Sequence, residues 1–163
     1  FAALPEAIFT LRHSGLSLDE KPFQCVMVQM QLGMEDGLRR GLDAHDRRLI
    51  LCHRGALDPL AYWLDRGWAE DEFYAYTETS RESLYARYRA VLHLVTAADG
   101  AAEHYARWPD NPRSELPEEA IRLDRLLQRV WGDHPAYYRL GNQDRGWEAK
   151  SQASCAFLAS CCK

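Results

Sequence analysis

Polar side chains stand where several apolar runs of this sequence end. Glu6 follows an apolar start at residues 1–4, and His53 and Arg54 come directly after the run 49–52. A carboxylate or an imidazole can exchange protons, and a guanidinium presents a planar fork of donors to a phosphate. The residues that stand in such positions are Glu6, His53, Arg54, Asp58, Asp99 and Asn142.

Each of these residues alone is a weak signal, and several polar residues have an ordinary structural interpretation. Asp58 precedes Pro59, and a carboxylate followed by proline is typical of a helix start, so Asp58 suits a helix cap. His53 is equally compatible with the solvent-exposed end of a strand. Arg113 and Glu115 have the spacing of a surface ion pair, which contributes little to stability.

Other kinds of site have little support in the sequence. The six histidines show no HExxH or similar ligand spacing, and no GxSxG motif is present. The cysteines are odd in number and lack CxxC spacing, which argues against a zinc site or a disulfide framework and favours a reducing, cytoplasmic setting. They are Cys25, Cys52, Cys155, Cys161 and Cys162.

The segment 48–63 predicts one strand-turn-helix step. Residues 49–52 have the composition of a strand buried on both faces. From Leu57 onward the apolar residues recur every three or four positions, as on one helical face. Residues 90–95 predict a second buried strand. Further strands are predicted to end near residues 4 and 140, with helical segments between the strands, including 23–42 and 117–131. This alternation predicts a parallel sheet covered by helices.

The predicted sheet gives the polar residues a common place. In parallel α/β sheets, ligands bind at the carboxyl ends of the strands, which is where these side chains stand. The predicted helix 23–42 has its apolar side chains on one side: Phe23, Val26, Met27, Met30, Met34 and Leu38. The Pro-rich segment 104–117 has no apolar period and predicts a loop that folds over a site.

Size and charge limit the class of protein. At 163 residues the chain has the length of a single domain, 1–163. Its net charge of −4 and the lack of a Lys/Arg block argue against a nucleic-acid partner. No apolar run reaches the length of a transmembrane helix, and no signal-peptide pattern opens the chain.

A resemblance adds to this picture. PEA (5–7), FQ (23–24), LILCHRGALDPLAYW (49–63), HLV (93–95), RSE (113–115) and GN (141–142) occur in an order that resembles the NadR-like AAA-domain family of kinase-like P-loop NTPases. The resemblance covers about residues 5–150. It implies a three-layer α/β/α sandwich around a parallel sheet.

The family also implies roles for individual residues. Arg54 matches an arginine that handles an acceptor or its phosphate, and Asp58 lies in the same motif. Glu6 matches a catalytic carboxylate after a strand. Arg113 lies in the lid segment, where an arginine neutralises the transferring phosphoryl group, and Asn142 matches a loop that borders the nucleotide base. Lys150 and the cysteine-rich carboxyl terminus have no role that the residues explain.

Two departures from the family pattern concern the phosphates. No GxxxxGK[ST] motif occurs, so the backbone nest and the lysine that hold phosphates are missing. His53 stands where the family has Asp, and imidazole suits Mg²⁺ less well than a carboxylate does. Because the chain starts with Phe1 inside an apolar run, we expect it to be amino-terminally incomplete, without the first strand, the P-loop and the first helix.

The expected function is therefore nucleotide binding. The complete protein would bind ATP or GTP with Mg²⁺ and perform phosphoryl transfer or hydrolysis, whereas the chain as given would be inactive. A second ligand would be a small molecule or a lipid headgroup. The alternatives are a non-enzymatic switch that binds a nucleotide or a phosphoinositide, and a degenerate interaction domain.

Overall fold

A computed structural model of the protein describes residues 2–11, 15, 17, 20–42, 49–105, 115–142 and 146–162. It divides into an amino-terminal unit, Phe1–Leu84, and a carboxyl-terminal unit, Tyr85–Lys163. The prediction of one domain over 1–163 stays a prediction. Most of the predicted lid loop 104–117, including Arg113, lies outside the described residues.

The amino-terminal unit contains a pair of parallel strands and several helices. Strand β1 (Ala2–Leu4) pairs with β2 (Ile50–Cys52), and Leu4 lies opposite Cys52. The helices are α1 (Ile8–Leu11), α2 (Lys21–Gly41), α3 (Asp58–Asp65) and α4 (Glu70–Thr77), and α5 (Arg81–Tyr85) lies at the boundary of the unit. Prolines in the first turns of α2 and α3 suit those positions, because the missing N–H has no partner there anyway.

The carboxyl-terminal unit has a second pair of parallel strands, β3 (Val91–Leu94) and β4 (Tyr137–Leu140). Helix α6 (Pro117–Trp131) lies against one face of this sheet, because its Asp124 bonds His93 on β3. Helix α7 (Gly146–Cys161) lies against the other face, where Phe157 stacks on Tyr138. A helix therefore covers each face of this small sheet.

All four predicted strands are present, and each pair is parallel as the sequence predicts. The described residues form two two-stranded sheets, β1–β2 and β3–β4. The chain is thus an α/β protein, and a three-layer sandwich over its whole length stays a prediction. No described helix is long and apolar enough to cross a membrane.

The prediction that the strands are buried on both faces is wrong. All three residues of β2 are half-buried, and Leu94 on β3 keeps 43% of its surface exposed. The physical reason is that each strand of a two-stranded sheet has a neighbour on one edge only. Apolar composition alone does not reveal how many strands a sheet has.

Helix α2 forms as predicted, but it buries a different face. The residues with the lowest exposure are Phe23, Gln24, Val28, Gln31 and Glu35, whereas the methionines are half-buried. The amide of Gln31 donates to the Glu35 carboxylate at 2.9 Å, which makes burial of this polar pair tolerable. The spacing of apolar residues does not reveal this face, because three of its buried residues are Gln or Glu.

Two local features of α4 and α5 also differ from the sequence pattern. Helix α4 forms in an aromatic and acidic stretch without clear periodicity, where three acids in the first turn favour the helix amino terminus and Phe73 is fully buried. Helix α5 is capped by Ser80 and Ser83, whose hydroxyls accept from each other's backbone N–H groups.

Candidate functional site

The carboxyl ends of β1 and β2 bring Glu6 and His53 together. The backbone N–H of His53 donates to the Leu4 carbonyl at 3.1 Å, so the two chains leave the sheet side by side. Glu6 follows Leu4 by two residues, and its Oε1 lies 2.8 Å from Nδ1 of His53. Only 8% of the Glu6 side chain is exposed, compared with 66% of the His53 side chain. A buried carboxylate thus supports an exposed imidazole.

Arg54, the next residue in the turn, also contacts the Glu6 carboxylate. Its Nε lies 3.7 Å from Oε1 of Glu6, and its Nη1 contacts Oδ2 of Asp58 at 3.4 Å. No contact described for Arg54 among the placed residues involves Nη2. The guanidinium is therefore held from one side by two carboxylates, and its side chain keeps 29% of its surface exposed.

The carboxylates keep Arg54 charged. Burial by itself lowers the pKa of Arg54, but the negative charge of Asp58, with Tyr62 and Glu6, outweighs burial and raises the pKa above its ordinary value. A guanidinium that is fixed in orientation and permanently charged is well suited to bind a phosphate.

Asp58 does not cap α3. The residue at the cap position is Leu57, and no side chain makes a cap hydrogen bond there. Asp58 instead lies in the first turn and points its carboxylate at Arg54, four residues earlier. The interpretation of Asp58 as a helix cap is therefore wrong, because a nearby guanidinium is the stronger partner.

The residues around Arg54 do not form a metal cage of their own. Over the described ranges, no group of three or more His, Cys, Asp and Glu residues is arranged to hold a metal ion. Both carboxylates near β2 face a cation, since Glu6 contacts His53 and Arg54, and Asp58 contacts Arg54.

A second polar cluster lies at the carboxyl ends of β3 and β4. The amide of Asn142 donates to the carbonyls of Thr96 at 2.6 Å and Asp99 at 2.7 Å. Nζ of Lys150 donates to the Val95 carbonyl at 2.8 Å and to Oδ1 of Asn142 at 2.6 Å. These bonds fix the loop that follows β3. Asn142 therefore shapes this loop, and its contact with a nucleotide base stays a prediction.

Lys150 acquires a role that the sequence did not explain. Burial lowers the pKa of Lys150, against the opposing charge of Asp124, and its ammonium group bridges β3 to the loop after β4. The chain separation of 55 residues between donor and acceptor leaves no local sequence signal for this contact.

Replacing Lys150 by Met is expected to lower the free energy of unfolding by about 1–3 kcal/mol. The reason is that two oxygens, the Val95 backbone carbonyl and Oδ1 of Asn142, lose a charged donor. Urea denaturation measures the change. Lys21→Met is not a suitable control, since Lys21 lies over two tryptophan rings. Gln152→Met, on the exposed side of the same helix, is the matched variant and should change stability by less than about 0.5 kcal/mol.

The predicted site residues thus fall into two groups. The structure brings Glu6, His53, Arg54 and Asp58 together in the amino-terminal unit. In the carboxyl-terminal unit, Asn142 binds the backbone of Asp99. The predicted role of Arg113 concerns a residue outside the described part of the chain.

The sequence did not single out Asp124, which organises the carboxyl-terminal unit. Its carboxylate accepts from the Thr96 backbone N–H at 3.0 Å and from Gln128 at 2.6 Å, and it pairs with His93 at 3.1 Å. The signal available in the sequence is an aspartate on the apolar face of α6, directly beside Leu123. An acid in such a position needs buried partners.

Strands joined by helices, with polar side chains at the carboxyl ends of parallel strand pairs, define an α/β domain of the type that binds ligands at that edge. The model of the AAA domain family matches residues 2–145. The chain therefore belongs to the AAA-domain family, a class of P-loop-type nucleotide-binding domains. No curated protein and no solved structure matches it significantly.

Proposed function

We propose that this chain is part of a kinase-like nucleotide-binding protein in which Arg54 binds a phosphoryl group. The complete protein binds ATP or GTP together with Mg²⁺ and transfers or hydrolyses the terminal phosphate. Membership of the AAA-domain family supports nucleotide binding. The free thiols of the five cysteines agree with a reducing, cytoplasmic setting.

The observation that carries the proposal is the way Arg54 is held. Two carboxylates lie on one side of its guanidinium, at the carboxyl end of a parallel strand pair. Asp58 accepts a hydrogen bond from Nη1 at 3.4 Å, whereas Glu6 lies 3.7 Å from Nε, which is buried without a hydrogen-bond partner among the described residues. A surface arginine in a simple ion pair needs no such arrangement. A residue that must present its donors to a phosphate gains from it, because its side-chain entropy is lost before the ligand arrives.

The remaining binding roles are carried over from the family resemblance as proposals. They are a contact of Asn142 with the nucleotide base and a contact of Arg113 with the phosphates. Asp58 would contribute indirectly to binding the phosphoryl acceptor, because it contacts Arg54. The phosphate ligands of Mg²⁺ would come from the nucleotide, in keeping with the lack of a cage among the described residues.

The test is the affinity of the intact protein for nucleotide before and after Arg54→Lys. Lysine keeps the charge but loses the planar fork, so we expect the Kd for ATP or GTP to rise about 10-fold or more, the equivalent of one charge-assisted hydrogen bond. Isothermal titration calorimetry in the presence of Mg²⁺ measures the change. Circular dichroism shows whether the variant keeps its fold.

Arg39→Lys is the matched control, because Arg39 is exposed near the end of α2. It should leave the Kd unchanged. If the two variants bind nucleotide equally well, Arg54 does not contact the phosphates. A soluble inositol trisphosphate, titrated in parallel, tests the alternative of a phosphoinositide switch: tight binding of this headgroup together with no nucleotide binding would favour the switch.

A further inference from the structure

We propose that His53 is the proton acceptor of this site and that Glu6 is the residue that positions it. The inference rests on the proposed function and reverses the assignment that family resemblance suggests, in which the carboxylate of Glu6 acts on the substrate. The juxtaposition behind it is a buried carboxylate under an exposed imidazole.

The accessibility of the two side chains separates their roles. Only 8% of the Glu6 side chain is exposed, and its Oε1 already faces His53 and Arg54, so a substrate hydroxyl has little room to reach it. His53 is 66% exposed and stands at the carboxyl end of β2. Of these two groups, the imidazole is the one that a ligand can touch.

The close contact between the two side chains bears on the tautomer of His53. An unprotonated Nδ1 would direct its lone pair at the Glu6 Oε1 only 2.8 Å away, so this contact favours the tautomer that carries its hydrogen on Nδ1. In the neutral ring, Nε2 then holds a lone pair. No contact described for His53 among the placed residues uses Nε2, so this basic nitrogen is available on the exposed side of the ring. A base that is oriented by a third group is the arrangement that activates nucleophiles in many hydrolases and transferases.

The neighbouring cation gives this base a place in phosphoryl transfer. Arg54 and His53 are consecutive residues and contact the same oxygen of Glu6, so a phosphate on the guanidinium lies close to the imidazole. A water or alcohol oxygen attacks the γ-phosphorus and forms a new P–O bond. The bond from the γ-phosphorus to the bridging oxygen breaks, and its electron pair leaves with the nucleoside diphosphate. The proton of the attacking hydroxyl moves to Nε2, and Glu6 stabilises the resulting imidazolium.

This role also accounts for the residue type at position 53. An aspartate there would place a second carboxylate against Glu6, and like charges so close would repel each other unless a cation lay between them. Histidine instead forms a favourable pair with Glu6.

The first test is the tautomer of His53 in the 163-residue chain, read from long-range ¹H–¹⁵N correlation spectra of histidine-labelled protein at alkaline pH. We expect the protonated nitrogen to be Nδ1. Glu6→Gln should keep this tautomer, because the amide oxygen still accepts, whereas Glu6→Leu should lose it. His104, which is exposed and lies 3.7 Å from Glu103 through Nε2, is the reference histidine in the same spectrum. A wild-type His53 protonated on Nε2 would overturn the inference.

The second test separates chemistry from binding in the intact protein, with ATP and GTP as probes. His53→Asn keeps a donor toward Glu6 but removes the basic nitrogen, so single-turnover hydrolysis should slow about 100-fold while the Kd changes less than about threefold. His104→Asn should change neither quantity.

The possible outcomes distinguish this inference from the proposed function. If the wild type binds neither nucleotide, both fall together. If it binds nucleotide without turnover, or if His53→Asn turns over at the wild-type rate, the proton-accepting role of His53 is wrong while nucleotide binding stands.

Discussion

Replacing Asp124 by Ala is expected to lower the free energy of unfolding by about 3 kcal/mol. The carboxylate serves three groups at once: the His93 ring, the Thr96 backbone N–H and the Gln128 amide. Only 7% of the Asp124 side chain is exposed, so removing it leaves these donors buried without an acceptor. Each buried donor without an acceptor costs about 1–3 kcal/mol. Urea denaturation at neutral pH measures the loss.

The same residue gives a pH dependence with a definite sign. Burial alone raises the pKa of Asp124, but hydrogen bonds from His93 and Gln128 outweigh burial and hold the pKa below its ordinary value of 3.8. The stabilisation is therefore complete well above pH 3.8 and is lost as the pH falls through the lower value in the folded state. Asp124→Asn should weaken this acid dependence.

Asp133→Ala is the matched control, because Asp133 is exposed just beyond α6. It should change the free energy of unfolding by less than about 0.5 kcal/mol at any pH. Equal effects of the two variants would show that the Asp124 network adds nothing beyond the loss of one surface charge.

Trp63→Ala is expected to be the most damaging change in the amino-terminal unit, at about 3–5 kcal/mol. The indole is fully buried on α3 and meets the rings of Trp68 and Phe73 edge-on at centroid distances of 4.8 and 5.6 Å. Its Nε1 donates to the Ala69 carbonyl at 2.7 Å, so truncation leaves a cavity and removes one of the two hydrogen bonds that this carbonyl accepts. Chemical denaturation followed by far-ultraviolet circular dichroism measures the loss.

Trp147→Ala removes the same side chain from an exposed position, since 72% of Trp147 is accessible at the start of α7. Its effect should stay below about 0.5 kcal/mol. A small effect at Trp63 would mean that the aromatic contacts of α3 and α4 are not the centre of that unit.

The strands and the longest helices could be predicted because they depend on local patterns. The run 49–52 and the proline that opens α6 are visible without any knowledge of the partners. The number of strands in a sheet is not local, and so β2 and Leu94 were wrongly expected to be fully buried. The buried polar residues of α2 could not be predicted from the spacing of apolar residues, because their burial depends on the hydrogen bond between Gln31 and Glu35.

In the candidate site, too, some features could be predicted from the sequence and others could not. Parallel strands place their carboxyl ends at one edge, and this rule is enough to expect Glu6 beside His53. The rule does not say which of the two lies beneath the other, because burial depends on the whole unit. The contact between Lys150 and the Val95 carbonyl joins residues 55 positions apart and could only be found in three dimensions.

The proposed function requires that a nucleotide phosphate binds to Arg54. A ¹H–¹⁵N spectrum of the arginine side chains of the intact protein tests this directly, with ATP or GTP added stepwise in the presence of Mg²⁺. We expect a saturable shift of the Arg54 Nε–H resonance and no shift of the Arg39 Nε–H resonance. Saturable nucleotide binding that leaves the Arg54 resonance unmoved, or no binding of either nucleotide, would contradict the proposed function.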